Sequence, residues 1–183
     1  MCYNVGIGYT VYLLNGVVMM ICCFLGHREI CETGELRAQL YGVIKELIIN
    51  EKVDTFLFGS KSQFNSLCYA LVTELRSEYP HIMRIYVRAE FPVIREDYQA
   101  YLLERYEDTY YPEKLIGAGR SIYVKRNMEM IDKSNFCVFY YDEAYLPKGR
   151  KSGTKIALNY AAKRKKVIFQ FPRMKSTQAP NKG

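Results

Sequence analysis

FLFGSKSQFNS, residues 56 to 66, runs from three apolar residues into Gly59-Ser60 and then through a polar stretch into a helical pattern. Glycine at the end of a strand opens a tight turn and lets another group approach the backbone. Two readings fit it equally: the turn holds a phosphate, or it only lets a strand become a helix. The rest of the chain has to decide.

Working outward, the same alternation recurs. Ile21 to Leu25 is a short apolar run, and Thr33 to Asn50 then places Leu36, Leu40, Val43, Ile44, Leu47 and Ile48 on one helical face. Val53 to Phe58 reads as a second strand. The next helix, Asn65 to Ser77, turns Leu67, Ala70, Leu71 and Leu75 inward. A third strand spans Ile82 to Val87. The tyrosine-rich stretch that follows is less regular, with a helix over Glu96 to Tyr106 and mostly loop through EDTYYPEKLIGAG, residues 107 to 119. Gly119 to Lys133 reads as a helix, Phe136 to Tyr141 as a strand, Ser152 to Lys165 as a helix and Val167 to Phe171 as a last strand. Strands separated by helices of this length require right-handed crossovers, hence an α/β, Rossmann-like three-layer sandwich around a mostly parallel sheet of five to six strands.

In such sheets ligands bind beyond the carboxyl ends of the strands, where the strand order reverses. Three polar, glycine-containing loops fall there: LGHRE after the first strand, FGSKSQFN after the second and YDEAYLPKGRKSGTKIAL after the fifth. In the last, Ser152-Gly153-Thr154 opens a helix whose first N–H groups lack intrahelical partners and sit at the positive end of the dipole. Ser152 or Thr154 serves equally well as a simple N-cap. Lys148, Arg150, Lys151 and Lys155 supply more cation than a cap needs. The spacing matches neither a Walker loop nor G-x-G-x-x-G.

Composition narrows the classes. The 183 residues are 49% hydrophobic and carry a net charge of +7, which suits one domain with a full core. Cysteines at 2, 22, 23, 31, 68 and 137 form no C-x-x-C pair, and His27 and His81 are the only histidines. That pattern suits neither a metal site nor a disulfide framework, and reduced thiols in a cytoplasmic protein are expected, with Cys23 and Cys68 in the core. No motif calls for a cofactor. Residues 1 to 110 carry a net −4 and residues 111 to 183 a net +11, so the positive excess lies in the half with Ser152-Gly153-Thr154. The KRKK run at 163 to 166 has a plain reading as a helix end, where the dipole favours cations.

The first 26 residues hold no charge. Their length would permit a membrane span, but Asn4, Asn15, four glycines and the lack of basic flanks oppose it. Residues 19 to 25, MMICCFL, read better as the first strand of the domain. The expected organisation is therefore an upstream extension over 1–18, one domain over 19–172 and a loose tail over 173–183.

CCFLGHRE (22–29), FLFGSKSQFNSLCYALV (56–72), VKRNMEMIDKSNFCVFYYDE (124–143) and KSGTKIALNYAAKRKKVIF (151–169), in that order, resemble the YpsA-like branch of the SLOG superfamily. That Rossmann-like group includes the Lonely Guy phosphoribohydrolases and DNA-processing protein A. The likeness covers about residues 21 to 171. It implies a nucleotide-type ligand held by Gly26, His27, Arg28, Gly59, Ser60, Asn65, Arg126, Asn127, Ser152, Gly153 and Thr154. Arg126 and Ser-Gly-Thr resemble the arginine and phosphate motif of the Lonely Guy enzymes. Ala157 stands where their motif has glutamate, Asn65 where YpsA-like chains have an acid, and Ser60 where they have a second glycine. A carboxylate is the natural group to assist N-glycosidic cleavage, so its loss argues against that activity unless Glu90, Asp142 or Glu143 replaces it. Each of the three also has a plain reading as solvated surface, as do Arg88 and Arg95.

Two functions are compatible with these features. One is a pocket for a small nucleotide or nucleotide-sugar, in a sensor or a degenerate N-glycosidase-like domain. The other is a single-stranded nucleic-acid module using the basic half and Tyr110, Tyr111 and Tyr123 for stacking. No membrane partner is expected, and a homo-oligomer is compatible with either.

Overall fold

The computed structural model describes residues 2–5, 9–14, 17–59, 61–145 and 152–172. Strands β1 (Cys2–Val5), β2 (Tyr9–Leu14) and β3 (Val17–Met19) form a three-stranded antiparallel meander. The rest of the described chain is an α/β sandwich around one open sheet of six parallel strands. In chain order its elements are β4 (Ile21–Gly26), α1 (Gly34–Ile49), β5 (Thr55–Phe58), α2 (Gln63–Arg76), β6 (Met83–Val87), α3 (Glu96–Leu103), β7 (Asp108–Tyr110), α4 (Ile122–Lys133), β8 (Phe136–Tyr140), α5 (Gly153–Lys163) and β9 (Val167–Phe171). The spatial order is β7-β6-β5-β4-β8-β9.

Strand β4, which contains most of MMICCFL, lies inside the sheet and pairs with β5 on one side and β8 on the other. All six of its residues but the last are buried, the pattern of a parallel strand covered on both faces. Cys22 and Phe24 pack with α1 and α2, whereas Ile21, Cys23 and Leu25 pack with α4 and α5. This alternation splits the core into two layers. The six α1 residues expected to face inward are the six that are buried. On α2, which starts two residues earlier than its pattern suggested, the buried stripe runs through Phe64, Leu67, Cys68, Leu71, Val72 and Leu75, and Ala70 falls outside it and is exposed. Cys22, Cys23, Cys68 and Cys137 are buried free thiols and Cys31 is an exposed one. Among the described residues no helix is long and apolar enough to cross a membrane.

One strand was not placed from the sequence. Within the mostly loop stretch 107 to 119, Asp108–Tyr110 pairs with β6 as a parallel edge strand. Three residues with polar side chains give too little periodicity to recognise. Glu107 fixes the segment from outside the strand: its carboxylate accepts from Arg84 Nε at 3.1 Å and Nη2 at 2.6 Å, and Arg84 is 8% exposed. Gly117 and Gly119, at φ +75° and +52°, then turn the chain into α4.

Candidate functional site

Because the chain runs outward from β4 through β5, β6 and β7 and then returns to β8, the strand order reverses between β4 and β8. A crevice of about 550 Å³ opens at the carboxyl ends there. Gly26 ends β4 and Gly59 follows β5; both line it. Arg126 and Asn127 come from α4, and Gly153 and Thr154 are the first residues of α5. With Arg28, seven of the ligand residues singled out from the sequence line a single cavity, and the candidate acid Glu90 lines it too. Ser60, Lys148, Arg150 and Lys151 lie outside the described residues.

Arg126 is the unusual member. It is only 2% exposed, so its ordinary reading as a solvent-facing helical arginine does not hold. Nε and Nη2 both donate to the Asn127 Oδ1 at 3.1 Å, while Nη1 is buried with no hydrogen-bond partner. Burial pulls the guanidinium's pKa below its usual value, against the opposing influence of Tyr86 and Glu90. A buried cation with an unmet donor is costly unless something else completes it. The Tyr123 ring lies 5.7 Å from its centre.

Gly59 makes room for this arginine. A Cβ there would lie 2.9 Å from Arg126 Cδ and Nε and 2.7 Å from Met130 Sδ. The glycine of FLFGSKSQFNS therefore lets α4 carry Arg126 across the end of β5. The polar residues after it tie the turn together. Asn65, 3% exposed, accepts from the Gly59 N–H at 3.4 Å and donates to the Phe24 carbonyl at 3.4 Å and to Ser62 Oγ at 3.3 Å. Ser62 Oγ accepts the Asn65 N–H, and the Arg28 carbonyl accepts the Gln63 N–H at 2.8 Å. The first turn of α2 is thus largely closed by its own chain.

The first turn of α5 is open by comparison. Ser152 caps it by accepting the Lys155 N–H at 3.2 Å, and the Gly153 and Thr154 N–H groups belong to the first turn, where helix geometry supplies no partner. A Cβ on Gly153 would meet nothing within 4 Å. Gly153→Val is therefore expected to leave the melting temperature within about 1 °C while its branched side chain obstructs the amides. Unchanged phosphate-ester affinity in the folded variant would move the site elsewhere.

The remaining candidates have internal partners. His27 Nε2 accepts from the Asp142 backbone N–H at 2.9 Å, and the backbone N–H of His27 donates to the Tyr140 carbonyl at 3.3 Å, so His27 clips the end of β4 to the end of β8. Gly26 packs under Phe64, and a Cβ there would lie 2.4 Å from the ring. Of the three acids, Asp142 accepts the Ala144 N–H at 2.9 Å, and exposed Glu143 pairs with Lys155 Nζ at 3.0 Å, which holds its carboxyl below the usual range. Only Glu90 lines the crevice, accepting from the Ala89 N–H at 3.1 Å and the Tyr86 hydroxyl at 3.3 Å. Ala157, on α5, is 2% exposed and packs within an apolar cluster, so an acidic side chain there would be buried among apolar neighbours.

Two residues that line the crevice, Lys61 and Ser62, were not among the expected site residues; Lys61 stands beside the strand-end glycine. Tyr123, expected to stack on nucleic acid, precedes Arg126 by one helical turn and lines the same crevice. Arg88, expected in solvent, is 8% exposed. Its only signal was its place just past the end of β6. Arg95 has an 86% exposed side chain, as expected. No family model matches the chain, and no curated protein sequence matches it.

Proposed function

We propose that the chain binds a small nucleotide-type phosphate ester in the crevice at the β4/β8 switch, as a sensor or a degenerate N-glycosidase-like domain of the kind the SLOG resemblance implies. The observation that carries this reading is Arg126, more than nine-tenths buried with an unpartnered Nη1 in a crevice that the first turn of α5 also lines. A phosphate would complete both: its oxygens accept from the guanidinium and from the Gly153 and Thr154 amides, and its charge offsets the buried cation. Catalysis is expected to be weak. The positions where the resemblance implies acids carry a buried alanine and an amide engaged with its own loop, which leaves Glu90 as the carboxylate at hand.

The nucleic-acid reading has less support. Tyr123 is 54% exposed, but Tyr110 and Tyr111 are half-buried and lie beside Lys133 and Arg88. Within KRKK, Arg164 pairs with Asp132 at 2.8 Å and Lys166 donates to the Asp132 and Ser134 carbonyls. Calorimetric titration of the full chain with ribose 5-phosphate and with a single-stranded oligonucleotide separates the two. A one-phosphate pocket is expected to lose less than about tenfold in affinity between 50 and 200 mM salt, whereas a backbone binder falls by orders of magnitude. Nucleoside monophosphates are expected to bind with little release of free base. Steeply salt-dependent oligonucleotide binding without ribose 5-phosphate binding would reverse the assignment.

A further inference from the structure

A second cavity, also about 550 Å³, adjoins the crevice and shares Lys61 and Glu90 with it. Its walls are largely apolar, with Phe91, Val93, Ile94 and Tyr98, and Arg88 lines it as well. Arg88 is 8% exposed; its Nη1 donates to the Phe91 carbonyl at 3.0 Å, and its Nε is buried with no partner. The Nε/Nη2 edge of the guanidinium is therefore the edge left for an outside acceptor. A largely apolar-walled space with a two-donor fork fits a planar heterocycle that offers two adjacent acceptors.

We propose that this cavity takes the base of the bound nucleotide and that Arg88 selects a 6-oxopurine over a 6-aminopurine. The proposal rests on the phosphate-ester reading of the crevice. Guanine presents O6 and N7 side by side, the pair that an arginine fork engages, whereas adenine places an amino donor beside N7 and so opposes one N–H of the fork. Glu90 works in the same direction. Where the two cavities meet, its carboxylate can accept from the N1–H of a 6-oxopurine but faces a lone pair on N1 of adenine. Arg88 and Glu90 thus complement adjacent edges of one base and disfavour the other.

Isothermal titration of the full chain with GMP, AMP, 7-deaza-GMP and ribose 5-phosphate tests this. GMP is expected to bind at least about tenfold more tightly than AMP, the size of one good bidentate contact. Loss of N7 in 7-deaza-GMP is expected to weaken binding several-fold, and Arg88→Met to bring the GMP/AMP ratio close to one. Should the variant not fold, the 7-deaza comparison on the natural chain decides the question. Equal affinities for GMP and AMP, both lost in Arg126→Met, would overturn the base assignment and leave the crevice reading intact. Tighter binding of AMP would overturn it too, and failure of all four probes to bind would overturn both.

Discussion

Arg126→Met is expected to stabilise the free protein while removing its affinity for phosphate esters. The two effects have one cause. Arg126 is buried with its Nη1 unpartnered and its pKa pulled down by desolvation, so the folded chain without ligand carries the cost of an incompletely solvated cation. Methionine has similar length and no charge, and replacing buried charge by a packed apolar side chain is commonly neutral or favourable. A gain of about 1 kcal/mol would raise the melting temperature by roughly 2–4 °C in a chain of this size. Binding is expected to fall by about 3 kcal/mol or more, since the guanidinium is proposed to supply a charge-assisted contact to the phosphate in a desolvated site. Arg126→Lys keeps the charge without the fork and is expected to lose roughly 1.5–3 kcal/mol of affinity. Thermal melts and calorimetry on the same samples check both halves. A variant that is destabilised by several degrees and still binds would make Arg126 a structural residue.

The largest expected loss of stability follows Gly26→Ala. Its Cβ would lie 2.4 Å from Cδ1 and 2.8 Å from Cβ of Phe64, whose side chain is fully buried against β4 and the α2 layer. An aromatic ring held on all sides cannot yield as the end of a flexible side chain does, so the overlap is relieved by shifting α2 or bending β4. Overpacking of this kind costs about 2–3 kcal/mol. Adding Phe64→Leu is expected to recover part of the loss, because the smaller side chain vacates the contested space. Denaturant unfolding of the two single variants and the double variant measures that coupling. Strict additivity would show that the cost of Gly26→Ala does not arise from overlap with Phe64.

These two glycines show what the sequence could and could not disclose. Strand–helix alternation was legible because the buried strands are continuous apolar runs and α1 presents a clean apolar face; the edge strand β7 was not, being short and polar. That Gly26 and Gly59 end strands near a binding edge could also be read. Which neighbour each accommodates could not, since Phe64 and Arg126 reach them through tertiary packing from 38 and 67 positions away. Asn65 and His27 were marked as polar residues at strand-end loops. Their hydrogen bonds to Gly59, Phe24 and Asp142 appear only once β4, β5 and β8 are side by side. Arg88 had no sequence signal separating it from Arg95, and only the fold buries one and exposes the other.

The opening ambiguity of FLFGSKSQFNS therefore resolves into two parts. Its glycine accommodates the arginine proposed to hold phosphate, while Ser62 and Asn65 complete the strand-to-helix turn. The anion itself is proposed to sit on the first turn of the facing helix, α5. The most direct measurement is an amide-resolved NMR titration of the full isotope-labelled chain with ribose 5-phosphate. The account predicts that the largest saturable shifts fall on the Gly153 and Thr154 amides and on the Arg126 side-chain Nε–H. Saturable shifts confined to other surfaces, with those three signals unmoved, would contradict it.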